Sequence, residues 1–261
     1  LLNSKDVLDT IKELSIIAGE EILKLFNKDI SPEYKEDNSP VTEADKNAND
    51  IIVSGIKKEF PDMGILAEES SDDLSRLEKR YCFLVDPLDG TKEFIRGNDE
   101  FTVNIALTEW GKPIGGVIYV PVYKELYYGW AGEGAFSLIN GEEKRLHVSK
   151  RIGNIRLAKS RTHHSHMLDK LISINNINHV IVAGSAYKGC LLARGDVEAY
   201  YRFGRTMEWD TAAMEIIATE AGGIFSGMDG NQFKYNKKNP ENPQGFYLLN
   251  NEANKLSIPM E

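Results

Sequence analysis

Asp86-Pro87-Leu88-Asp89-Gly90-Thr91 sets two carboxylates three residues apart, directly after the apolar pair Leu84-Val85. Such a pair suits a hard divalent cation, which takes several oxygen ligands and often shares them with a substrate phosphate. Leu84 and Val85 read as the end of a buried strand, Pro87 fixes one backbone angle, and Gly90 lets the chain approach a ligand closely. The expectation is a tight turn whose Leu88 carbonyl is one more oxygen donor. Asp-Pro and Asp-Gly are also ordinary turn dipeptides, so this motif alone leaves a purely structural reading open. Two other acidic segments accompany it. Gly64-Ile65-Leu66-Ala67-Glu68-Glu69-Ser70 is a short apolar run ending in two acids, as when a buried strand delivers a carboxylate to a sheet edge. Glu208-Trp209-Asp210-Thr211-Ala212-Ala213 opens a helix with Trp209, Ala213, Ile216 and Ile217 at helical spacing, closed by Gly222-Gly223. A first-turn carboxylate is also favoured by the helix dipole without any function, which applies to Asp210 and to Asp45 alike.

The elements that must position these groups follow from periodicity. Residues 5–26 read as a helix with Val7, Leu8, Ile11, Leu14, Ala18, Ile22 and Leu25 on one face, and residues 42–60 as a second with Asp45 in its first turn. Strands are predicted at 82–85, 101–109, 114–120, 125–130 and 135–139, which makes the first half an antiparallel sheet backed by two helices. From residue 155 the pattern alternates: strand 156–160, helix 166–174, strand 180–183, helix 186–194, strand 197–201, then the helix at Asp210. Alternation of that kind predicts an α/β second half with a mainly parallel sheet.

Bulk composition restricts the function classes. The 261 residues, 41% hydrophobic, suffice for one large core or two smaller ones. The opening residues lack the basic-then-apolar layout of a signal peptide, and no apolar run reaches membrane-spanning length; a soluble cytoplasmic protein is expected, with association at the inner face of the membrane left open. Cys82 and Cys190 stand far apart among apolar neighbours and read as buried free thiols. A net charge of −9 argues against a nucleic-acid polymer as partner. A phosphorylated small-molecule substrate would therefore need local positive charge, from metal ions and a few Lys or Arg.

Taken together, the acidic motifs resemble those of the inositol monophosphatase-like, Mg²⁺-dependent, Li⁺-sensitive phosphatases. Asp86-Pro87-Leu88-Asp89-Gly90-Thr91 is similar to the first family signature, and Trp209-Asp210-Thr211-Ala212-Ala213 through Glu220-Ala221-Gly222-Gly223 to the second. Lys92-Glu93-Phe94, Phe101-Thr102-Val103-Asn104-Ile105-Ala106-Leu107 and Asn38-Ser39-Pro40-Val41-Thr42-Glu43-Ala44-Asp45 resemble the 3′(2′),5′-bisphosphate nucleotidase branch of the bacterial CysQ type. The likeness runs from the first helix to about Phe246. Ala67, where many members have Gly, and Tyr187 depart from the pattern.

The resemblance implies a layered αβαβα sandwich of the sugar-phosphatase type, α+β with an α/β second half, the site lying between residues 1–150 and 151–261. It implies Glu68, Asp86 and the Leu88 carbonyl as ligands of one Mg²⁺ and Asp86, Asp89 and Asp210 as ligands of another, with two or three ions per site. Asp45 and Thr91, with Glu68, become the catalytic set: the Thr91 hydroxyl accepts from water and hands its own proton to Asp45. Leu88, Asp89, Gly90, Thr91 and Asp210 would also meet the cleaved phosphate, while Ser185, Lys188 and Arg202 would hold the other phosphate and His163 would reach the nucleotide. His163, His164 and His166 lack the companions of a zinc site. The implied reaction is loss of the 3′-phosphate from adenosine 3′,5′-bisphosphate, or its sulfated relative, by a monomer or homodimer. An inositol-phosphate phosphatase and a non-catalytic nucleotide- or metal-binding regulator are the competing readings.

Overall fold

The computed structural model describes residues 2–28, 32–35, 39–162 and 165–259. The chain opens with α1 (Ser4–Leu25), capped by the Asn3 side chain. The short strands β1 (Glu33–Tyr34) and β2 (Pro40–Val41) pair with each other and lead into α2 (Glu43–Glu59). Thr42 and Asp45 start α2 as a capping box: the Thr42 side chain takes the Ala44 N–H, and the Asp45 carboxylate accepts from the Thr42 N–H and hydroxyl. Asp45 is thereby fixed in orientation by the element it begins.

A seven-stranded sheet follows, built from β3 (Gly64–Ala67), β4 (Tyr81–Asp89), β5 (Thr102–Glu109), β6 (Lys112–Val120), β7 (Glu125–Trp130), β8 (Gly134–Ile139) and β9 (Glu142–Arg145), in that spatial order. A 3₁₀ turn (Leu74–Glu78) precedes β4, and the short helix α3 (Thr91–Ile95) follows it. The sheet is antiparallel except at its edge, where β3 runs parallel to β4; the connection between them, through the 3₁₀ turn, crosses over instead of forming a hairpin, which the antiparallel expectation had missed. The expected tight turn at Asp86 is a bulged strand end. Asp86 still pairs with Asn104 and Asp89 with Thr102, with the register shifting between them. An extra residue in one strand bends the chain and re-aims its side chains, and here it turns both carboxylates into one cavity.

The second sheet comprises β10 (Arg156–Ser160), β11 (His179–Ala183), β12 (Ala199–Arg202), β14 (Ile224–Gly227) and β16 (Phe246–Leu249), interleaved with α4 (His166–Ile174), α5 (Tyr187–Ala193), the strand pair β13 (Thr206–Met207) and β15 (Glu241–Asn242), and α6 (Glu208–Glu220). Its order is β11-β10-β12-β16-β14. The two pairings of β10 are parallel, and both pairings of β16 are antiparallel. The sheet is thus mixed, where a mainly parallel one was expected, because the chain beyond α6 returns as two unforeseen strands.

Alternating strand residues feed separate cores. Phe83 and Val85 of β4 pack with α1 and α2, whereas Cys82 and Leu84 pack with α5 and α6. On β16, Phe246 and Leu248 join this middle core while Tyr247 and Leu249 join Leu168 and Leu171 of α4 on the far side. The layers are α1 and α2, the large sheet, α5 and α6, the second sheet, and α4: the αβαβα sandwich expected. Both cysteines are buried and free. No described helix is long and apolar enough to cross a membrane.

Candidate active site

Three chain ends converge on one cavity of about 350 Å³: the residues after β3, the bulged end of β4, and the first turn of α6. They bring Glu68, Asp86, Leu88, Asp89 and Asp210 to its wall, with Gly90 and Thr91 beside them. Ser185, Lys188 and Arg202, from the β11–α5 turn, α5 and β12, line the other side. Asp45 lies behind Thr91, and His163 falls outside the described residues, as does His164.

Asp45 and Thr91 touch. The Thr91 hydroxyl donates to Asp45 Oδ1 at 2.9 Å, while Asp45 Oδ2 is held by Thr42. Burial raises the Asp45 carboxyl above its ordinary value, and the hydrogen bonds from Thr42 and Thr91 work against that rise.

Gly90 occupies the left-handed region at φ 95°, and a Cβ there would lie 2.2 Å from Ser185 Oγ. Only glycine meets both conditions. Ser185, itself at φ 48°, donates its hydroxyl to the Asp89 carbonyl, and the Ala186 N–H donates to Asp89 Oδ2 at 2.6 Å. The second half of the chain is in this way bonded directly onto the metal-type motif of the first.

The carboxylates carry a charge problem. Burial, followed by the nearby Glu68, Asp89, Asp210 and Asp45, pushes Asp86 well up. Burial also lifts Asp89 to about 6 and Asp210 to about 8, with Asp89 adding its repulsion to Asp210. Like charges crowded in a low dielectric cannot all ionise without a compensating cation. Lys188 supplies part of it. Its Nζ is buried, donates to the Ser185 carbonyl at 2.6 Å, and lies 5.3 Å from the Tyr200 ring centre; burial lowers it to about 8 despite Asp89 and Glu93.

Lys35 supplies another part at the rim, where its ammonium bonds Glu68 and Glu69. Sequence reading missed it, because a single lysine in a polar loop has no spacing to mark it. Arg205 and Thr206 also reach the cavity and were not anticipated, and Trp209, read from the sequence only as part of the second signature and as a helix position, lines it too.

Among the described residues, no three Asp, Glu, His or Cys side chains form a group that could hold a metal ion as placed. The acids are turned to protein donors instead: Glu68 to Lys35, Asp86 to the Leu88 N–H, Asp89 to the Ala186 N–H and Asp210 to the Met207 N–H. The donor chemistry nevertheless fits a hard divalent cation. Four carboxylates line one cavity together with Leu88, all offering oxygen donors, and three of the acids are raised above their ordinary pKa by burial first and by neighbouring carboxylates after it.

Comparison with known proteins places this architecture. The model of the inositol monophosphatase family matches residues 3–256. A 3′(2′),5′-bisphosphate nucleotidase CysQ from Buchnera aphidicola is 39% identical over 235 residues, covering 88% of each chain. One of the same name from Salmonella typhimurium is 38% identical, covering 92% of this chain and 98% of its own. Among solved structures, CysQ from Bacteroides thetaiotaomicron superposes with a TM-score of 0.82 at 34% identity, covering 95% of this chain and 98% of that one. An IMPase from Thermotoga maritima superposes with a TM-score of 0.81 at 27% identity, covering 94% and 92%.

Proposed function

This chain belongs to the inositol monophosphatase family, whose enzymes are metal-dependent phosphatases, and we propose that it removes the 3′-phosphate from adenosine 3′,5′-bisphosphate to give AMP and phosphate. The observation that carries this reading is the pairing of an acid-lined cavity, with Thr91 bonded to Asp45 at its edge, against a basic wall of Lys188 and Arg202. One wall suits a metal-assisted phosphate ester and the other a second phosphate on the same molecule.

Glu68, Asp86, the Leu88 carbonyl, Asp89 and Asp210 would hold Mg²⁺, two or three ions per site. When bound, the metal supplies the charge that neutralises the phosphoryl oxygens and acidifies water near pH 7. The attacking water gives its proton to the Thr91 hydroxyl as Thr91 passes its own to Asp45 Oδ1, along the 2.9 Å bond already in place. The water oxygen bonds to phosphorus as the P–O bond to the 3′ oxygen breaks, the ribose leaves as an alcohol after taking a proton from solvent water, and Asp45 returns its proton to solvent. Arg202, half-exposed on the cavity wall, meets the uncleaved phosphate with its planar fork. Lys188 adds charge from beneath, where it also ties down the 183–186 turn that carries Ser185. His163 would complete the nucleotide side.

Phosphate release from adenosine 3′,5′-bisphosphate, with Mg²⁺ and with EDTA, tests the reaction together with the Asp89→Asn variant. Mg²⁺-dependent release that Asp89→Asn abolishes without loss of fold is the expected result. Wild-type turnover in that variant would remove the metal assignment.

A further inference from the structure

A network of polar bonds outside the cavity lining links the 3₁₀ turn before β4 to the first turn of α6. Arg76, in the 3₁₀ turn before β4, is 1% exposed, and Glu208, the first residue of α6, is 0% exposed. The two do not bond each other. Both close on the irregular stretch at 236–237. Arg76 donates to Asn236 Oδ1 at 2.6 Å and to the Lys237 carbonyl at 3.0 Å, and its remaining donors grip Asp72 in a fork. Asn236 returns a bond to the Arg76 carbonyl at 3.0 Å. From the other side, the Glu208 carboxylate accepts the Asn236 N–H at 2.6 Å and the Lys237 N–H at 3.0 Å, with Lys237 Nζ 3.5 Å away, while the Glu208 N–H donates to the Pro240 carbonyl.

What this bridge touches gives it meaning. Gly64, which begins β3, lies so close that a Cβ there would sit 2.8 Å from Arg76 Cβ, and β3 ends at the residue before Glu68. Glu208 precedes Asp210 by two residues in the same helical turn. Arg76 therefore backs the strand that presents Glu68, Glu208 fixes the turn that presents Asp210, and the 236–237 backbone joins them. A fully buried arginine and glutamate are costly to desolvate, and each is held by several directed bonds that admit one placement of its element.

We propose that Arg76 and Glu208 are positioning residues that set the separation of Glu68 from Asp210 and so tune the affinity of the site for its divalent cation. The proposal rests on the phosphatase reading above. Groups that orient metal ligands from behind commonly change affinity or activity by about 10–100-fold when removed. Loss of either side chain leaves the ligands present but free to separate.

The test is calorimetric titration of the metal-free protein with Mg²⁺ alone, comparing wild type with Arg76→Met, Glu208→Gln and Asn236→Ala, each checked for fold by circular dichroism. Asn236 is half-buried, so its truncation keeps the test alive if a buried-site variant does not fold. The expected result is weaker Mg²⁺ binding in every folded variant, by about tenfold or more for the two charged residues, with the Mg²⁺ dependence of phosphate release shifted in parallel. A purely structural role would lower the melting temperature and leave the isotherm of folded protein unchanged, and that outcome overturns the proposal. Wild type that binds Mg²⁺ but releases no phosphate from the bisphosphate would overturn the substrate assignment and leave the bridge standing. Wild type that binds no Mg²⁺ would overturn both.

Discussion

The hydroxyl of Thr91 can play its part only if the oxygen behind it takes a proton, and Asp45 Oδ1 is placed to do so while Thr42 secures the other oxygen. Thr91→Val keeps the volume and removes the relay, so kcat should fall by about 10²–10⁴-fold with little change in KM. A kcat within a factor of three of wild type, measured at saturating Mg²⁺, would exclude Thr91 from proton transfer. Across the cavity, Arg202→Ala should raise KM for the bisphosphate far more than for adenosine 3′-phosphate, which lacks the 5′-phosphate, and equal losses on both would show that Arg202 does not read the second phosphate. The acids of this site were legible because Glu68 and Asp86 each follow an apolar run, Asp89 stands three residues on, and Asp210 opens a segment with helical apolar spacing. Lys35 and Arg205 were not, since long cations in irregular segments carry no periodic signal. Thr91 and Asp45, 46 residues apart, could be paired only through the family resemblance.

At the scale of elements, most boundaries follow from local pattern: α1, α2 and α4 carry one-sided apolar faces, and β5 to β8 are long and bounded by turns. β14 and β16 escaped detection because each has four residues, and β16 is buried on both faces, so no alternation marks it. The bulge in β4 was misread as a turn because Pro and Gly serve both purposes. α6 carries a titrating group of its own. Glu215, bonded by the Tyr235 hydroxyl, is pushed by burial from 4.5 up to about 7. The folded chain then binds more protons than the unfolded one between those values, so this group favours folding at low pH and that advantage is lost as pH rises through about 7. Glu215→Gln keeps an acceptor for Tyr235 and removes the charge. Its melting temperature relative to wild type should rise between pH 5 and pH 8 by about 5 °C; a difference independent of pH would show that Glu215 ionises normally.

For the molecule as a whole, the packing of α5 and α6 between two sheets makes the site a seam where both halves of the chain meet. The 183–186 turn seats on Asp89, and the stretch at 236–237 braces α6. A chain of net charge −9 that gathers buried acids at this seam is stabilised by any cation that binds only the folded state. Mg²⁺ at a hundredfold excess over its dissociation constant should add about 2.7 kcal/mol and raise the melting temperature by roughly 5 °C or more, with EDTA reversing the shift; a melting temperature indifferent to Mg²⁺ would mean that no such site forms. The layer order was foreseen through the family resemblance, since periodicity alone indicates only mixed helix and strand. The measurement that bears most directly on function is the ratio of kcat/KM for adenosine 3′,5′-bisphosphate to that for inositol 1-phosphate, taken with Mg²⁺ and again with added Li⁺. A ratio well above one, with Li⁺ suppressing the nucleotide reaction, is predicted; a ratio below one would keep the metal chemistry and contradict the nucleotide assignment.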